Sequence, residues 1–250
     1  SFSQSLKYKH NDMESLEAQL KKCNPDKVKL IVTDGVFSME GDVANVPEIV
    51  RLAKQYDACV MVDEAHSIGV FGEGGRGICN HFGCVDDVDL IMGTFSKSFA
   101  SLGGFIATDK EITNYLRHHS RSYIFTASIT PASTAAALKA IDLMIEEPER
   151  REHLWELTNY ALEGFRNMGC EIGNTSTPII PLYVRDNFKT FAITRDLLDE
   201  GIFVNPVVSP AVAPHDTLIR FSLMATHTKE QVTTALEKIQ KVFRKHNLIP

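Results

Sequence analysis

Residues 58–98 read ACVMVDEAHSIGVFGEGGRGICNHFGCVDDVDLIMGTFSKS, and this stretch decides the fold class. It contains two short apolar runs that are typical of strands buried in a parallel sheet. Asp63 and His66 follow the first run, and Thr94, Ser96 and Lys97 lie at the end of the second. Ligands bind beyond the carboxyl ends of parallel strands, so we expect these polar side chains to share one crevice.

Helix and strand patterns alternate on both sides of this stretch, which predicts an α/β protein with a mainly parallel sheet. Residues 28–35 (VKLIVTDG) predict another strand, after which Ser38 lies near the same crevice. The pattern changes near residue 150, so we expect a large domain over residues 1–150 and a small C-terminal α/β domain over 151–250. The first strong pattern looks like the middle of a domain, and we expect that an N-terminal portion of the large domain is missing.

The composition is that of a globular enzyme, with 44% hydrophobic and 23% charged residues over 250 positions. A formal net charge of −6 argues against a surface that binds nucleic acid. The odd number of cysteines, five, predicts reduced thiols in a cytoplasmic protein. Cys79, His81 and Cys84 are close in sequence, but no second pair of ligands follows, so we predict no metal. No apolar run is long enough to predict stable membrane insertion.

Two short strings suggest other functions. Residues 63–66 spell DEAH, the box of a class of helicases, and residues 72–77 (GEGGRG) fit a dinucleotide-binding fingerprint. A P-loop, which an NTPase needs, is absent from the sequence, and the glycines neither follow a strand directly nor open a long helix. We therefore interpret GEGGRG as a flexible loop and keep a DEAH-type NTPase as an alternative from another class.

The polar residues at the strand ends fit the chemistry of pyridoxal 5′-phosphate (PLP). The cofactor aldehyde needs a lysine amine, which Lys97 offers, and the pyridine nitrogen needs a carboxylate such as that of Asp63. His66 can donate to the ring 3-oxygen, and the hydroxyls of Thr94 and Ser96 can bind the phosphate. A single lysine after a strand is usually solvated, but this combination of residues is far more specific.

The stretches TDGVFSMEGDVANVPEIVRLAKQYDACVMVDEAHSIGVFGEGGRG (33–77) and VDLIMGTFSKSFASLGGF (88–105) resemble the α-oxoamine synthases, which are fold-type I PLP transferases. These enzymes condense an amino acid with an acyl-CoA and release carbon dioxide. The resemblance implies a role for each matching residue: Lys97 as the Schiff-base lysine, Asp63 on the pyridine nitrogen, His66 and Ser38 on the ring 3-oxygen, Thr94 and Ser96 on the phosphate, Thr126 on the phosphate of the dimer mate, and Arg220 on the substrate carboxylate.

Within that family, the SKS sequence around Lys97 and the tail ATHTKEQV (225–232) favour the branch that uses L-serine and palmitoyl-CoA. The product would be 3-ketodihydrosphingosine, at the first step of sphingolipid synthesis. A glycine C-acetyltransferase, an amino-oxononanoate synthase and a non-catalytic subunit remain alternatives. The resemblance also implies a homodimer with the active site at its interface. The family's ring-stacking residue and glycine-containing phosphate loop have no candidate in this sequence.

Overall fold

The computed structural model describes residues 3–250, which form two compact units. The first unit contains the residues up to Val36 and the segment Ala44–Glu147. The second contains Phe37–Val43 and Pro148–Pro250. Ser38 therefore lies in the second unit, although the sequence analysis assigned it to the region 1–150.

The first unit is built on a four-stranded sheet in which the carboxyl ends of the parallel strands lie side by side. The strands, in spatial as well as chain order, are β1 (Leu30–Asp34), β2 (Cys59–Asp63), β3 (Leu90–Thr94) and β4 (Gly104–Thr108). The first three are parallel, and β4 runs antiparallel to β3. Asp34 is in register with Asp63, which is in register with Met92. The prediction of a mainly parallel sheet is confirmed.

Several helices of the first unit begin at residues whose side chains cap them. They are α1 (Met13–Leu20), α2 (Val46–Gln55), α3 (Ile78–His81), α4 (Lys110–His119), α5 (Arg121–Phe125) and α6 (Pro131–Glu146). Asp12 accepts a hydrogen bond from the Ser15 amide at the start of α1, and Thr130 accepts one from Ser133 at the start of α6. Pro47 occupies the first turn of α2, where its missing N–H costs nothing.

The second unit has a three-stranded antiparallel sheet with the order β5-β7-β6. Its elements are α7 (Glu149–Asn167), β5 (Ile179–Tyr183), α8 (Asn187–Asp199), β6 (Asn205–Val207), β7 (Leu218–Ser222) and α9 (Lys229–Lys245). A capping box between Thr228 and Gln231 starts α9. Phe165, Ile219 and Ile239 are fully buried, and they mark the core between the helices and the sheet. None of the helices within residues 3–250 is long and apolar enough to cross a membrane.

The segment Phe37–Val43 is held in the second unit by contacts that are distant in sequence. The Thr175 hydroxyl donates to the backbone oxygen of Gly41 at 2.9 Å and to that of Ile179 at 2.7 Å. Gly41 has a φ of +66°, and a Cβ there would lie 2.0 Å from the Ile179 oxygen. Only glycine permits this close approach of the two backbones.

Candidate active site

Asp63 is the last residue of the central parallel strand, and its half-buried carboxylate is fixed locally. Its Oδ1 accepts a hydrogen bond from the Ala65 amide at 2.8 Å. The amides of Ser67 and Ile68 both donate to the backbone oxygen of Glu64 at 3.0 Å, so one tight turn follows the strand. His66 is half-buried and lies within this turn. The structure therefore places Asp63 and His66 one turn apart.

Glu64, to which the sequence analysis gave no role, is fully buried and stabilises the loop that carries His66. Its carboxylate accepts hydrogen bonds from the amides of Ile78 and Cys79, both at 2.7 Å, and from the Ser67 hydroxyl. Gly77 has a φ of +99°, and a Cβ there would lie 2.6 Å from the Glu64 carboxylate. Charge-assisted bonds of this kind are strong, so Glu64 joins the end of β2 to the start of α3.

The loop after β3 presents Lys97 beside a pair of hydroxyls. The Thr94 and Ser96 hydroxyls are 2.9 Å apart, and the Ser96 amide donates to the Thr94 hydroxyl at 3.2 Å. The Ala100 amide donates to the Lys97 backbone oxygen at 3.1 Å, which closes a turn around the lysine. Lys97 and Ser96 are exposed. This arrangement suits an anion held by hydroxyls in the loop that carries the lysine.

Two glycines allow β4 to pack closely on β3 next to this loop. A Cβ on Gly93 would lie 2.4 Å from the ring of Phe105, and one on Gly104 would lie 2.4 Å from the Gly93 oxygen. Neither position has room for a side chain. The end of β3 that carries Thr94 is therefore tightly packed against β4.

Thr126 lies directly after α5, in a segment whose side chains are exposed. The residues that follow it contact the Lys97 loop. The Ser101 hydroxyl donates to the Ser133 backbone oxygen at 2.7 Å, and a Cβ on Gly103 would lie 2.9 Å from Ile129. That Thr126 binds the phosphate of a dimer mate stays a prediction.

The other two predicted site residues, Ser38 and Arg220, meet in the second unit. The Arg220 Nε donates to the Ser38 backbone oxygen at 2.7 Å, and its Nη1 donates to the Ser222 hydroxyl at 2.7 Å. Burial lowers the pKa of the Arg220 guanidinium from its ordinary value. An arginine remains charged in proteins. The two contacts therefore orient a cation that can bind a carboxylate.

The donor set of the first unit fits PLP in its chemistry. An amine, a carboxylate, an imidazole and two hydroxyls lie at the ends of adjacent parallel strands and in the turns after them. Each corresponds to one reactive or polar group of the cofactor. Within residues 3–250, no cluster of three or more His, Cys, Asp or Glu side chains is arranged to hold a metal ion.

A fold of this kind, with lysine and aspartate at neighbouring strand ends, defines a class of transferases. The family model for aminotransferases of class I and II matches residues 3–239, and the chain belongs to that family. The DEAH-type NTPase is therefore not the class of this protein, and residues 63–66 spell the helicase box only by coincidence.

Within this family the chain is similar to serine palmitoyltransferases. It is 65% identical over 249 residues to the one from Bacteroides ovatus, covering 100% of this chain and 63% of that protein. A solved Sphingomonas wittichii serine palmitoyltransferase has a TM-score of 0.92 and 36% identity, over 97% of this chain and 61% of that one. Structures described as SPT with PLP match with the same TM-score. The 8-amino-7-oxononanoate synthase of Petrotoga mobilis is 46% identical over 94% of this chain and 60% of that protein. The chain thus spans less than two thirds of the length of these relatives.

Proposed function

We propose that the chain is part of a PLP-dependent acyltransferase that condenses L-serine with palmitoyl-CoA. The products are 3-ketodihydrosphingosine, coenzyme A and carbon dioxide. The observation that carries the proposal is the placement of Asp63 at the end of β2 and of Lys97 just after β3, the parallel strand next to it. The 65% identity to a serine palmitoyltransferase supports the choice of substrates.

Lys97 has two roles in this proposal. Its amine would hold the cofactor through the aldehyde, and the same amine, when free, would accept the α-proton of the amino acid. PLP, when bound, supplies a ring that withdraws electrons from the Cα of the amino acid. Asp63 keeps the ring nitrogen protonated, because an ionised carboxylate stabilises the pyridinium. In the condensation, Cα would form a bond to the thioester carbon as the C–S bond breaks and the coenzyme A thiolate leaves. The Cα–carboxylate bond would then break to release carbon dioxide, and the proton held by Lys97 would return to Cα.

The remaining residues bind and orient. His66 would donate to the ring 3-oxygen, and Ser38 would bind the same atom. Thr94 and Ser96 hold the phosphate through their paired hydroxyls. Arg220 binds the serine carboxylate, since a guanidinium can form two parallel hydrogen bonds with a carboxylate.

A cytoplasmic homodimer with its active site at the interface completes the proposal. Thr126 would then contact the phosphate bound by the partner subunit. The support for this step is the resemblance to the α-oxoamine synthases and the exposure of the Thr126 segment. Measuring the mass of the full-length protein in solution tests the proposed dimer.

The second candidate is an 8-amino-7-oxononanoate synthase, which the Petrotoga mobilis relative favours. The two candidates differ in the amino acid and in the acyl thioester that they use. Incubating the full-length protein with L-serine, L-alanine or glycine and watching the visible absorption separates them. If palmitoyl-CoA is turned over with L-serine but not with L-alanine or glycine, the first candidate is supported. If turnover occurs only with another amino acid, the first candidate is refuted.

Borohydride reduction followed by peptide mass spectrometry tests the role of Lys97 directly. We expect the reduced cofactor on the peptide that contains Lys97, and neither labelling nor turnover in Lys97→Ala. Lys54→Ala is the matched control, because Lys54 pairs with Asp87 on the surface at 2.5 Å. A Lys97→Ala protein with full turnover would falsify the proposal.

A further inference from the structure

We propose that Ser98 is a positioning residue that holds Lys97 against the loop bearing His66. The inference rests on the proposed function, because it takes Lys97 as the amine that binds the cofactor. Ser98 would not touch substrate or cofactor itself. It would act by fixing the backbone immediately after Lys97.

The contact that carries this inference joins the ends of two neighbouring strands. The Ser98 hydroxyl donates to the Ile68 backbone oxygen at 2.8 Å, across 30 positions of sequence. Gly69 has a φ of +83°, and a Cβ there would lie 2.6 Å from the Ser98 Cβ and 2.8 Å from its hydroxyl. The loops after β2 and β3 therefore approach as closely as only glycine at position 69 permits.

The acceptor side of this contact is rigid. The Gly69 amide donates to the Gly75 oxygen at 2.8 Å, and the Gly77 amide donates to the Phe71 oxygen at 2.8 Å. The buried Glu64 carboxylate fixes both ends of the same loop, through the Ser67 hydroxyl at one end and the Ile78 amide at the other. The Ile68 oxygen therefore belongs to a loop whose conformation is fixed by several hydrogen bonds.

The donor side of the contact lies inside the turn that carries the lysine. This turn is closed by the bond from the Ala100 amide to the Lys97 oxygen, and Ala100 has a positive φ of 47°. Such a conformation is costly for a residue other than glycine and persists only when its surroundings hold it. The Ser98 tether supplies such support, so its loss would let the turn relax and shift the backbone that carries Lys97 relative to the loop that carries His66.

Two replacements of Ser98 in the full-length protein test the inference. Ser98→Ala removes the donor, and we expect kcat to fall about fivefold, the size expected for one neutral hydrogen bond, with the KM for L-serine unchanged. The pH midpoint of the visible absorption of bound cofactor should shift as well, since that midpoint depends on the surroundings of the Lys97 nitrogen. Ser98→Thr keeps the hydroxyl and should restore both values.

Ser101→Ala is the matched control, because the Ser101 hydroxyl lies in the same loop and bonds to Ser133 instead. It should leave the pH midpoint and kcat at the parent values. Ser98→Cys, which is similar in size but a weak donor, should change both readouts in the same direction as Ser98→Ala, and it carries the test if the alanine variant does not fold.

The outcomes separate this inference from the proposed function. If borohydride labels Lys97 in the parent but Ser98→Ala matches the parent in kcat and pH midpoint, the inference is wrong and the function stands. The inference is equally wrong if Ser101→Ala shifts the midpoint as much as Ser98→Ala. If Lys97 in the parent is not labelled at all, both proposals fail.

Discussion

Replacing Glu64 with glutamine should destabilise the first unit, because the carboxylate is an acceptor that an amide cannot replace. Two backbone amides and one hydroxyl donate to its two oxygens. Glutamine keeps one oxygen and turns an NH₂ group toward at least one of these donors. A buried N–H left without an acceptor costs about 1–3 kcal/mol, and a hydrogen bond to a charged group contributes about 1.5–3 kcal/mol. We expect the free energy of unfolding to fall by roughly 2–4 kcal/mol.

The assay for this prediction combines denaturant unfolding with the reactivity of a nearby thiol. Burial, and then the Glu64 carboxylate, raise the pKa of the Cys79 thiol, which keeps it protonated and unreactive. Glu64→Gln removes the charge and loosens the loop, so both effects increase the rate at which a disulfide reagent modifies Cys79. Glu48→Gln is the control, since Glu48 forms a surface ion pair with Arg51 and such pairs contribute about 0–1 kcal/mol.

If Glu64→Gln unfolds at the same denaturant concentration as Glu48→Gln, with Cys79 still protected, the carboxylate does not hold the loop. Loss of stability without a change in Cys79 reactivity would place the effect elsewhere in the unit.

Three further predictions concern separate parts of the chain. Burial raises the pKa of the Cys170 thiol to about 11, so at pH 8 iodoacetamide should alkylate it roughly a hundredfold more slowly in the folded protein than in the denatured protein, with a rate that climbs until the pH passes about 11; equal rates by peptide mass spectrometry would contradict this. Gly93→Ala should lower the free energy of unfolding by about 1–3 kcal/mol because the new Cβ meets Phe105, and Phe105→Leu should recover part of the loss in the same denaturation assay. Arg220→Lys should raise the KM for L-serine about tenfold with a smaller change in kcat, because the ammonium loses the two-pronged grip on a carboxylate, and an unchanged KM in steady-state kinetics would exclude the contact.

The parallel strands and their polar ends could be predicted because the relevant signals are local. The apolar runs that become β2 and β3 are short, and Asp63 and Thr94 fall at their ends. The direction of β4 was not predicted, since the reversal after β3 depends on the close backbone contact of Gly93 with Gly104.

The role of Glu64 was missed although a signal was present. Val60, Val62 and Glu64 alternate along the chain and are all buried, so the period of the strand already places the Glu64 side chain on the inner face. The pairing of Ser38 with Arg220 had no such signal, because 182 positions separate the two residues.

The discontinuity of the second unit has a consequence for biosynthesis. The segment Phe37–Val43 leaves the ribosome long before Thr175, Ile179 and Arg220, which supply its contacts. Domains generally fold in the order in which they emerge from the ribosome. This short segment therefore cannot form its contacts with Thr175 and Arg220 until more than a hundred further residues have been translated. A cut between Glu147 and Pro148 would likewise leave the C-terminal piece without Phe37–Val43, so no single cut of the chain yields the second unit whole.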